Sequence, residues 1–236
     1  MKIPNTAVLV TLIVICRPIN ATEYKLVDGA QFKLCKDYSA ALNQLSELPP
    51  MACERRFVPD LKQFRKPDWE ELDPMQYIAL YREMLEIIPG SRADLETKWE
   101  ERKAQFISRI EKGDVQLSRT HIDIDHDGRR DTVYRFAQRP CDPDNSIDQR
   151  IPSTYQYYVA ANGASTLSKK YFLLAEGGQT LFFYDGRVYV DRFESKPSFG
   201  KTVRQHRANI YVNEWGSTRG GRGIYVQAVC ELSVVN

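Results

Sequence analysis

The spacing of apolar residues changes near the segment from Lys112 to Asp114. Before this segment, apolar residues recur three or four positions apart, which is the period of an amphipathic helix. After it, apolar residues alternate with polar ones or form short β-branched and aromatic runs, which are typical of strands. The chain therefore predicts an α+β fold, in which an N-terminal helical portion packs on a C-terminal antiparallel β-meander or partly closed barrel.

Three helices are predicted in the N-terminal portion. The first covers residues 38–48, and a pair of prolines ends it. The second begins after Asp73, which serves as its N-cap, with Pro74 at the first helical position. Ser91 is the predicted N-cap of the third, which runs to about Lys112. Residues 53–73 contain prolines and scattered aromatics, and they predict an ordered loop.

The apolar pattern of the C-terminal portion predicts a series of short strands. They cover residues 116–122, 132–136, 155–160, 171–175, 180–184, 188–193, 208–215 and 223–232. Asp185 and Gly186 separate two of these strands, and this dipeptide is a strong signal for a two-residue hairpin turn. Strands at this spacing favour an antiparallel meander, and they are too few for a complete propeller.

Carboxylates cluster between the first two predicted strands. The four aspartates at positions 1, 3, 5 and 9 of this loop are Asp123, Asp125, Asp127 and Asp131. Calcium takes about six to eight oxygen ligands, and carboxylates on alternate residues of a tight loop converge on one point. Gly128 at position 6 permits the sharp turn, and the backbone carbonyl of Arg129 at position 7 adds an oxygen. We expect these residues to bind calcium.

The flanks of this loop distinguish it from a helix-loop-helix calcium site. Position 12 is Tyr134 in place of the bidentate glutamate of that site, and both flanks predict strands. A strand, the pattern Asp-x-Asp-x-Asp-Gly-x-x-Asp and a second strand resemble the calcium loops of FG-GAP and VCBS-type repeats in secreted and surface proteins. The pattern occurs once here, and Arg129 and Arg130 depart from the small or neutral residues usual in those loops.

A second interpretation of the acidic loop requires no ion. Aspartates in turns accept hydrogen bonds from nearby backbone N–H groups, so the same residues would cap an acidic β-turn and face water. Four carboxylates directed at one point repel one another unless a counter-ion neutralises them. This repulsion favours calcium, which would then have the structural role of fixing the corner between the two strands.

Residues 1–21 have the pattern of a secretory signal. Lys2 precedes an apolar run from Ala7 to Cys16, which is shorter than the roughly 20 residues needed to span a bilayer. Ala21 provides a small residue at the expected cleavage site. The mature chain is therefore expected in the periplasm or outside the cell, without stable membrane insertion. A lipid anchor on Cys16 and an uncleaved signal anchor are the alternatives.

We divide the expected mature chain into a helical region, residues 22–113, and a β-rich region, residues 114–236. The full chain has 33 basic and 31 acidic side chains, and the signal contains Lys2 and Arg17 but no acid. The mature chain therefore has no net charge. Such a chain has no global attraction to nucleic acid or anionic lipid, so neither is an expected partner.

Four cysteines remain after the signal, namely Cys35, Cys53, Cys141 and Cys230. An even number in an exported chain predicts two disulfides, with three possible connectivities. We favour Cys35–Cys53, because a short loop closes readily, and Cys141–Cys230, which would join the last strand to the segment after the acidic loop. There is no Cys-x-x-Cys pair and no zinc-site spacing, so thiol redox chemistry and zinc binding are not expected.

Aromatic residues and the lack of catalytic motifs guide the functional hypothesis. Tyrosine is abundant in the β-rich region, where examples are Tyr155, Tyr157, Tyr158, Tyr171, Tyr184, Tyr189, Tyr211 and Tyr225. Tyrosines on a sheet can bind a sugar or a protein, and they can also fill a half-buried face. No nucleophile elbow or zinc-protease motif is present. We therefore favour an exported calcium-binding interaction module with a protein or glycan partner.

The alternative is an unrecognised extracytoplasmic hydrolase whose residues converge only in the fold. Glu70, Glu71 and Asp73 are the candidates for a pair of catalytic carboxylates. Acidic residues are also common near the beginning of a helix, where they interact favourably with the helix dipole.

Overall fold

The computed structural model of the chain describes residues 23–44, 63–88, 92–124, 127–137, 156–160, 166–168, 172–173, 179–197, 206–217 and 225–235. The predicted signal lies outside the described residues, as do Cys53 and Cys141.

Three α-helices lie in the N-terminal portion, as predicted. They are α1 (Lys33–Gln44), α2 (Ile78–Ile87) and α3 (Leu95–Glu111), and short 3-10 turns at Pro74–Tyr77 and Arg92–Asp94 precede α2 and α3. No helix in the described ranges combines the length and apolarity needed to cross a bilayer.

The beginning of each helix tests the predicted boundaries. Asp73 is the N-cap of the turn before α2, and its carboxylate accepts a hydrogen bond from the backbone N–H of Met75 at 3.0 Å. Helix α1 begins at Lys33, earlier than predicted, because Leu34 and Cys35 already belong to the buried face that Tyr38 continues. Ser91, the predicted cap of the third helix, lies outside the described residues.

Eleven strands are present among the described residues. In chain order they are β1 (Glu23–Asp28), β2 (Phe64–Arg65), β3 (Glu70–Leu72), β4 (Gln116–Ile122), β5 (Asp131–Ala137), β6 (Gln156–Ala160), β7 (Phe172–Leu173), β8 (Gln179–Tyr184), β9 (Arg187–Pro197), β10 (His206–Ser217) and β11 (Tyr225–Val235).

The strands form two open antiparallel sheets. The six-stranded sheet has the order β1-β11-β10-β9-β8-β2, and the five-stranded sheet has the order β3-β4-β5-β6-β7. The α+β class is confirmed, and the described strands do not close into a barrel. The predicted hairpin is present, since Tyr184 pairs with Arg187. Both turn residues have positive φ, 49° at Asp185 and 77° at Gly186, as a two-residue hairpin turn requires.

Strands β1, β2 and β3 are absent from the prediction for residues 22–113. Strand β1 pairs with β11, β2 pairs with β8, and β3 pairs with β4. Strands β2 and β3 are only two and three residues long, and β1 has one fully buried side chain, that of Tyr24. Such segments have too little apolar alternation to be recognised alone, and they form strands because a partner edge is available.

Alternating side chains divide the molecule into four layers. On β8 and β9, Leu181 and Val190 face one side of the six-stranded sheet, and Phe182 and Tyr189 face the other. The first side packs against the five-stranded sheet, and the second packs against α1. Helices α2 and α3 cover the remaining face of the five-stranded sheet, where Met84 and Phe106 contact Phe136 and its neighbours.

The core between the sheets, here called the middle core, contains the buried residues Ile122, Ile124, Val133, Tyr157, Val159, Leu181, Val188 and Val190. All of these are aliphatic or aromatic. They come from strands of both sheets and from the beginning of the acidic loop, so this core holds the two sheets together.

The core under α1 contains a buried polar pair. The ring of Tyr38 stacks on that of Phe182, with 5.3 Å between ring centroids. Its hydroxyl donates a hydrogen bond to the carboxylate of Asp191 on β9, and both side chains are completely buried. A buried carboxylate needs hydrogen-bond partners, because burial without them is costly. The pair therefore fixes the position of α1 over the centre of the sheet.

A disulfide joins Cys35 on α1 to Cys230 on β11, with 5.5 Å between their Cα atoms. Both predicted pairings, Cys35–Cys53 and Cys141–Cys230, are therefore wrong. The argument from short loops fails because folding has already brought the two partners together, although 195 positions separate them. Helix α1 packs on the face of the sheet next to β11, so tertiary packing selects the pair.

Gly29 makes the close approach of α1 to β11 possible. This residue has φ +91°, in the region that favours glycine. A Cβ atom at this position would lie 2.4 Å from the carbonyl oxygen of Val229 and 2.7 Å from the sulfur of Cys35. Neither neighbour is the mobile end of a flexible side chain, so the structure has no space for alanine here.

We predict that Gly29→Ala lowers the free energy of unfolding by about 2–5 kcal/mol, because it combines left-handed strain with overlap against the disulfide. The measurement is urea denaturation followed by tryptophan fluorescence. Gly113→Ala is the matched control, since Gly113 has φ +75° and no atom lies within 4 Å of the point that its Cβ would occupy. It should cost only about 1–2 kcal/mol from strain. Equal losses in the two variants would show that the close approach is unimportant.

Candidate functional site

The acidic loop connects β4 to β5, the central strand of the five-stranded sheet. The register of β4 and β5 ends with Ile122 opposite Asp131, so residues 123–130 form a hairpin loop. Both flanking strands are as predicted, and the loop is therefore of the strand-loop-strand type. Asp125, at position 3, lies outside the described residues, as does His126.

The carboxylate of Asp123, at position 1, is held by the backbone of its own loop. One oxygen accepts a hydrogen bond from the N–H of Asp127 at 3.1 Å, and the other accepts from the N–H of Gly128 at 3.0 Å. Gly128 has φ +87°, which turns the chain back towards position 1. The glycine at position 6 therefore has the role that the sequence predicts.

Asp127 and its neighbours form the exposed tip of the loop. The carboxylate of Asp127 accepts a hydrogen bond from the N–H of Arg129 at 2.8 Å, across a single intervening residue. Residues 127–130 are all exposed to solvent. The tip therefore presents one carboxylate and the two arginines Arg129 and Arg130 on its outer surface.

Asp131, at position 9, is buried where the loop joins β5. One of its carboxylate oxygens accepts a hydrogen bond from the N–H of Ile124 at 3.3 Å. The side chain of Ile124 is completely buried in the middle core. This isoleucine, which we did not predict as part of the site, anchors the loop between the sheets. The period-two spacing of Ile122 and Ile124 is the sequence signal for it.

The described hydrogen bonds match the capping of a turn, and they also leave capacity for a cation. A carboxylate has about four lone-pair sites, so two hydrogen bonds to Asp123 leave further sites for a metal. No three acidic, histidine or cysteine side chains within the described ranges are grouped closely enough to hold an ion. Because Asp125 is outside those ranges, the predicted set is only partly described, and calcium binding stays a prediction.

The structure describes the side chains of some tyrosines of the β-rich region, and most of these side chains lie in the cores. Tyr157, Tyr158, Tyr184 and Tyr189 are all buried. The side chains of Tyr155, Tyr171, Tyr211 and Tyr225 are outside the described set. The four buried rings stabilise the sheets and do not form an exposed aromatic face for a partner.

The acidic residues considered for a hydrolase have structural partners. Arg119 donates two hydrogen bonds to Glu70, at 2.7 and 2.8 Å, and these bonds lower the pKa of the Glu70 carboxyl. Arg135 binds Glu71 at 3.1 Å. Asp73 caps the turn before α2. All three carboxylates thus contribute to local structure in the folded chain.

No protein family model matches this chain, and neither a characterised protein nor a solved structure matches it.

We predict that Ile124→Ala lowers the free energy of unfolding by about 2–5 kcal/mol, because it leaves a cavity between the two sheets. Urea denaturation measures this change. Val27→Ala is the control, since Val27 is 59% exposed and its truncation should change stability by less than about 0.5 kcal/mol. A loss for Ile124→Ala as small as that of the control would mean that the loop is not anchored in the middle core.

Proposed function

We propose that the chain is an exported interaction module in which a calcium ion fixes the β4–β5 corner and helps to present a surface to a protein or glycan partner. The observation that carries this proposal is the position of the Asp123 carboxylate, which the amides of positions 5 and 6 hold inside a strand-loop-strand turn. The resemblance of the loop to FG-GAP and VCBS-type calcium loops supports the same assignment.

The proposed ligands are the carboxylates of Asp123, Asp125, Asp127 and Asp131 and the backbone carbonyl of Arg129. Oxygen donors of this type suit calcium, which accepts flexible coordination at roughly 2.3–2.6 Å. The ion would neutralise the aspartates and connect the exposed tip to the buried end of the loop. Calcium that binds only the folded chain would also raise the free energy of unfolding. Once the calcium concentration exceeds the dissociation constant, this increase grows with the logarithm of the concentration.

The exposed tip is the part of this corner that a partner can reach. Arg129 and Arg130 project from a loop whose base is anchored by Ile124 in the middle core. Arginine is favoured at interfaces, because its planar guanidinium forms several hydrogen bonds and packs on aromatic or sugar surfaces. A calcium ion would reduce the motion of the tip and so lower the entropic cost of binding.

We predict that calcium binds the full chain with a dissociation constant of about 10⁻⁴ to 10⁻³ M, the range of extracellular calcium modules. Isothermal titration calorimetry measures this affinity. The double variant Asp125→Ala, Asp127→Ala should weaken binding at least about tenfold, because it removes two anionic ligands. Asp185→Asn, which removes one carboxylate from the β8–β9 turn, is the control and should bind as the wild type does. Equal heats from the wild type and the double variant would eliminate the site.

We further predict that the immobilised full chain retains a protein or glycan from an extracellular or envelope fraction, and that a calcium chelator releases it. The double variant should retain less of the same partner, whereas Asp185→Asn should retain as much as the wild type. Mass spectrometry and glycan analysis identify the retained material. If the wild type retains nothing, or if all three chains retain the same material with and without chelator, the interaction proposal fails.

A further inference from the structure

A cleft of about 300 Å³ opens beside the beginning of α1, on the face of the six-stranded sheet that is remote from the middle core. Phe32 and Lys33 line it at the beginning of α1, Arg187 lines it at the β8–β9 turn, and Glu214 lines it from β10. We call this the α1 cleft. Its volume lies at the lower end of the range of about 300–1,000 Å³ for sites that hold small ligands.

The floor of the α1 cleft is apolar and held in place. Leu34, Tyr184 and Tyr189 are buried and line it. Val229 also lines it, at a bulge where β11 has one residue more than its partner β10. The disulfide follows directly in both segments, after Leu34 on α1 and after Val229 on β11. A floor with these anchors is preformed, which lowers the entropic cost of binding a ligand.

Two cations stand at the rim, each beside a more buried carboxylate. Lys33 pairs with Asp37, and Arg187 pairs with Glu214 at 2.8 Å. The two cationic side chains are 78% and 62% exposed, whereas their acidic partners are 20% and 22% exposed. The cation of each pair is therefore more accessible to a ligand than its carboxylate is.

The hydrogen bonds at the rim leave the cations able to bind a further acceptor. An ammonium has three N–H donors and a guanidinium has five. Each cation gives one hydrogen bond to its carboxylate, and Lys33 also interacts with the Tyr184 hydroxyl, so at least one donor of each remains for a further acceptor. The Tyr184 hydroxyl also donates to Asp37 at 2.8 Å. Partial burial raises the pKa of Asp37, but the hydrogen bonds from Lys33 and Tyr184 outweigh this effect and lower the pKa overall. Asp37 thus stays ionised, and its carboxylate holds the Lys33 ammonium at the cleft.

We propose that the α1 cleft binds the carboxylate of a ligand that has an aromatic or branched apolar body. The carboxylate accepts hydrogen bonds from Lys33 and Arg187, and the apolar body lies on the floor beside Phe32, whose side chain is 46% exposed. This chemistry is shared by the C-terminal residue of a peptide and by a free aromatic acid. The α1 cleft is on the six-stranded sheet and the acidic loop is on the five-stranded sheet, so this proposal does not require the loop to bind calcium.

The test titrates the full chain with N-acetylphenylalanine and follows the protein signals by NMR until they stop changing, which gives the dissociation constant. Its neutral amide, N-acetylphenylalaninamide, should bind at least about tenfold more weakly, because it cannot form charge-assisted hydrogen bonds. Lys33→Gln and Arg187→Gln should each weaken binding of the acid at least about threefold and leave binding of the amide unchanged. Lys98→Gln is the control, since Lys98 is an exposed, ion-paired lysine on α3 and should have no effect.

Three outcomes would overturn the proposal, namely no saturable binding of the acid, equal binding of acid and amide, or an equal effect of Lys98→Gln. A tetrapeptide that ends in phenylalanine, with a free or an amidated C-terminus, separates the two sources of the carboxylate. Tighter binding of the free peptide than of N-acetylphenylalanine assigns the cleft to peptide C-termini. Weaker binding of the peptide assigns it to free aromatic acids. These results are independent of calcium titration, so the two proposals can fail separately.

Discussion

The central strands are apolar on both faces, and this constraint determines the architecture. On β8, Leu181 is buried towards the five-stranded sheet and Phe182 is buried towards α1. On β5, Val133 faces the middle core and Phe136 faces α2 and α3. A sheet with two apolar faces is stable in water only when both faces are covered. Four layers satisfy this requirement, with a helical layer on each outer side of two packed sheets.

The same constraint explains how an acidic loop can have a defined shape. The polar loop lies at the end of β4, where the middle core still extends to Ile124. This side chain buries the first part of the loop, and the hydrogen bond from its N–H to Asp131 joins it to the last part. The hydrogen bonds to Asp123 then close the turn. The apolar anchor and these hydrogen bonds together give the described part of the loop its shape.

The opposite outer face depends on the contact between α1 and β11. Gly29 permits the approach, the disulfide makes it covalent, and Tyr38 with Asp191 sets where the helix lies over the sheet. The α1 cleft is a consequence of this contact, because the beginning of α1 stands beside the β8–β9 turn without covering it. Leu34 and Val229, each next to a cysteine of the disulfide, line the cleft, so the contact that fixes α1 on β11 also positions part of the proposed ligand site.

Local patterns in the sequence were sufficient for the α+β class, the three helices, the β8–β9 turn and the strand-loop-strand setting of the aspartates. Each depends on neighbouring residues, such as Asp73 before Pro74 or Asp185 before Gly186. Only the tertiary structure decided the Cys35–Cys230 pair, the three short strands that join sheet edges, the burial of the tyrosines and the meeting of Lys33 with Arg187 in one cleft. These features join residues far apart in the chain, and such contacts form only when the sheets and helices bury their apolar faces together.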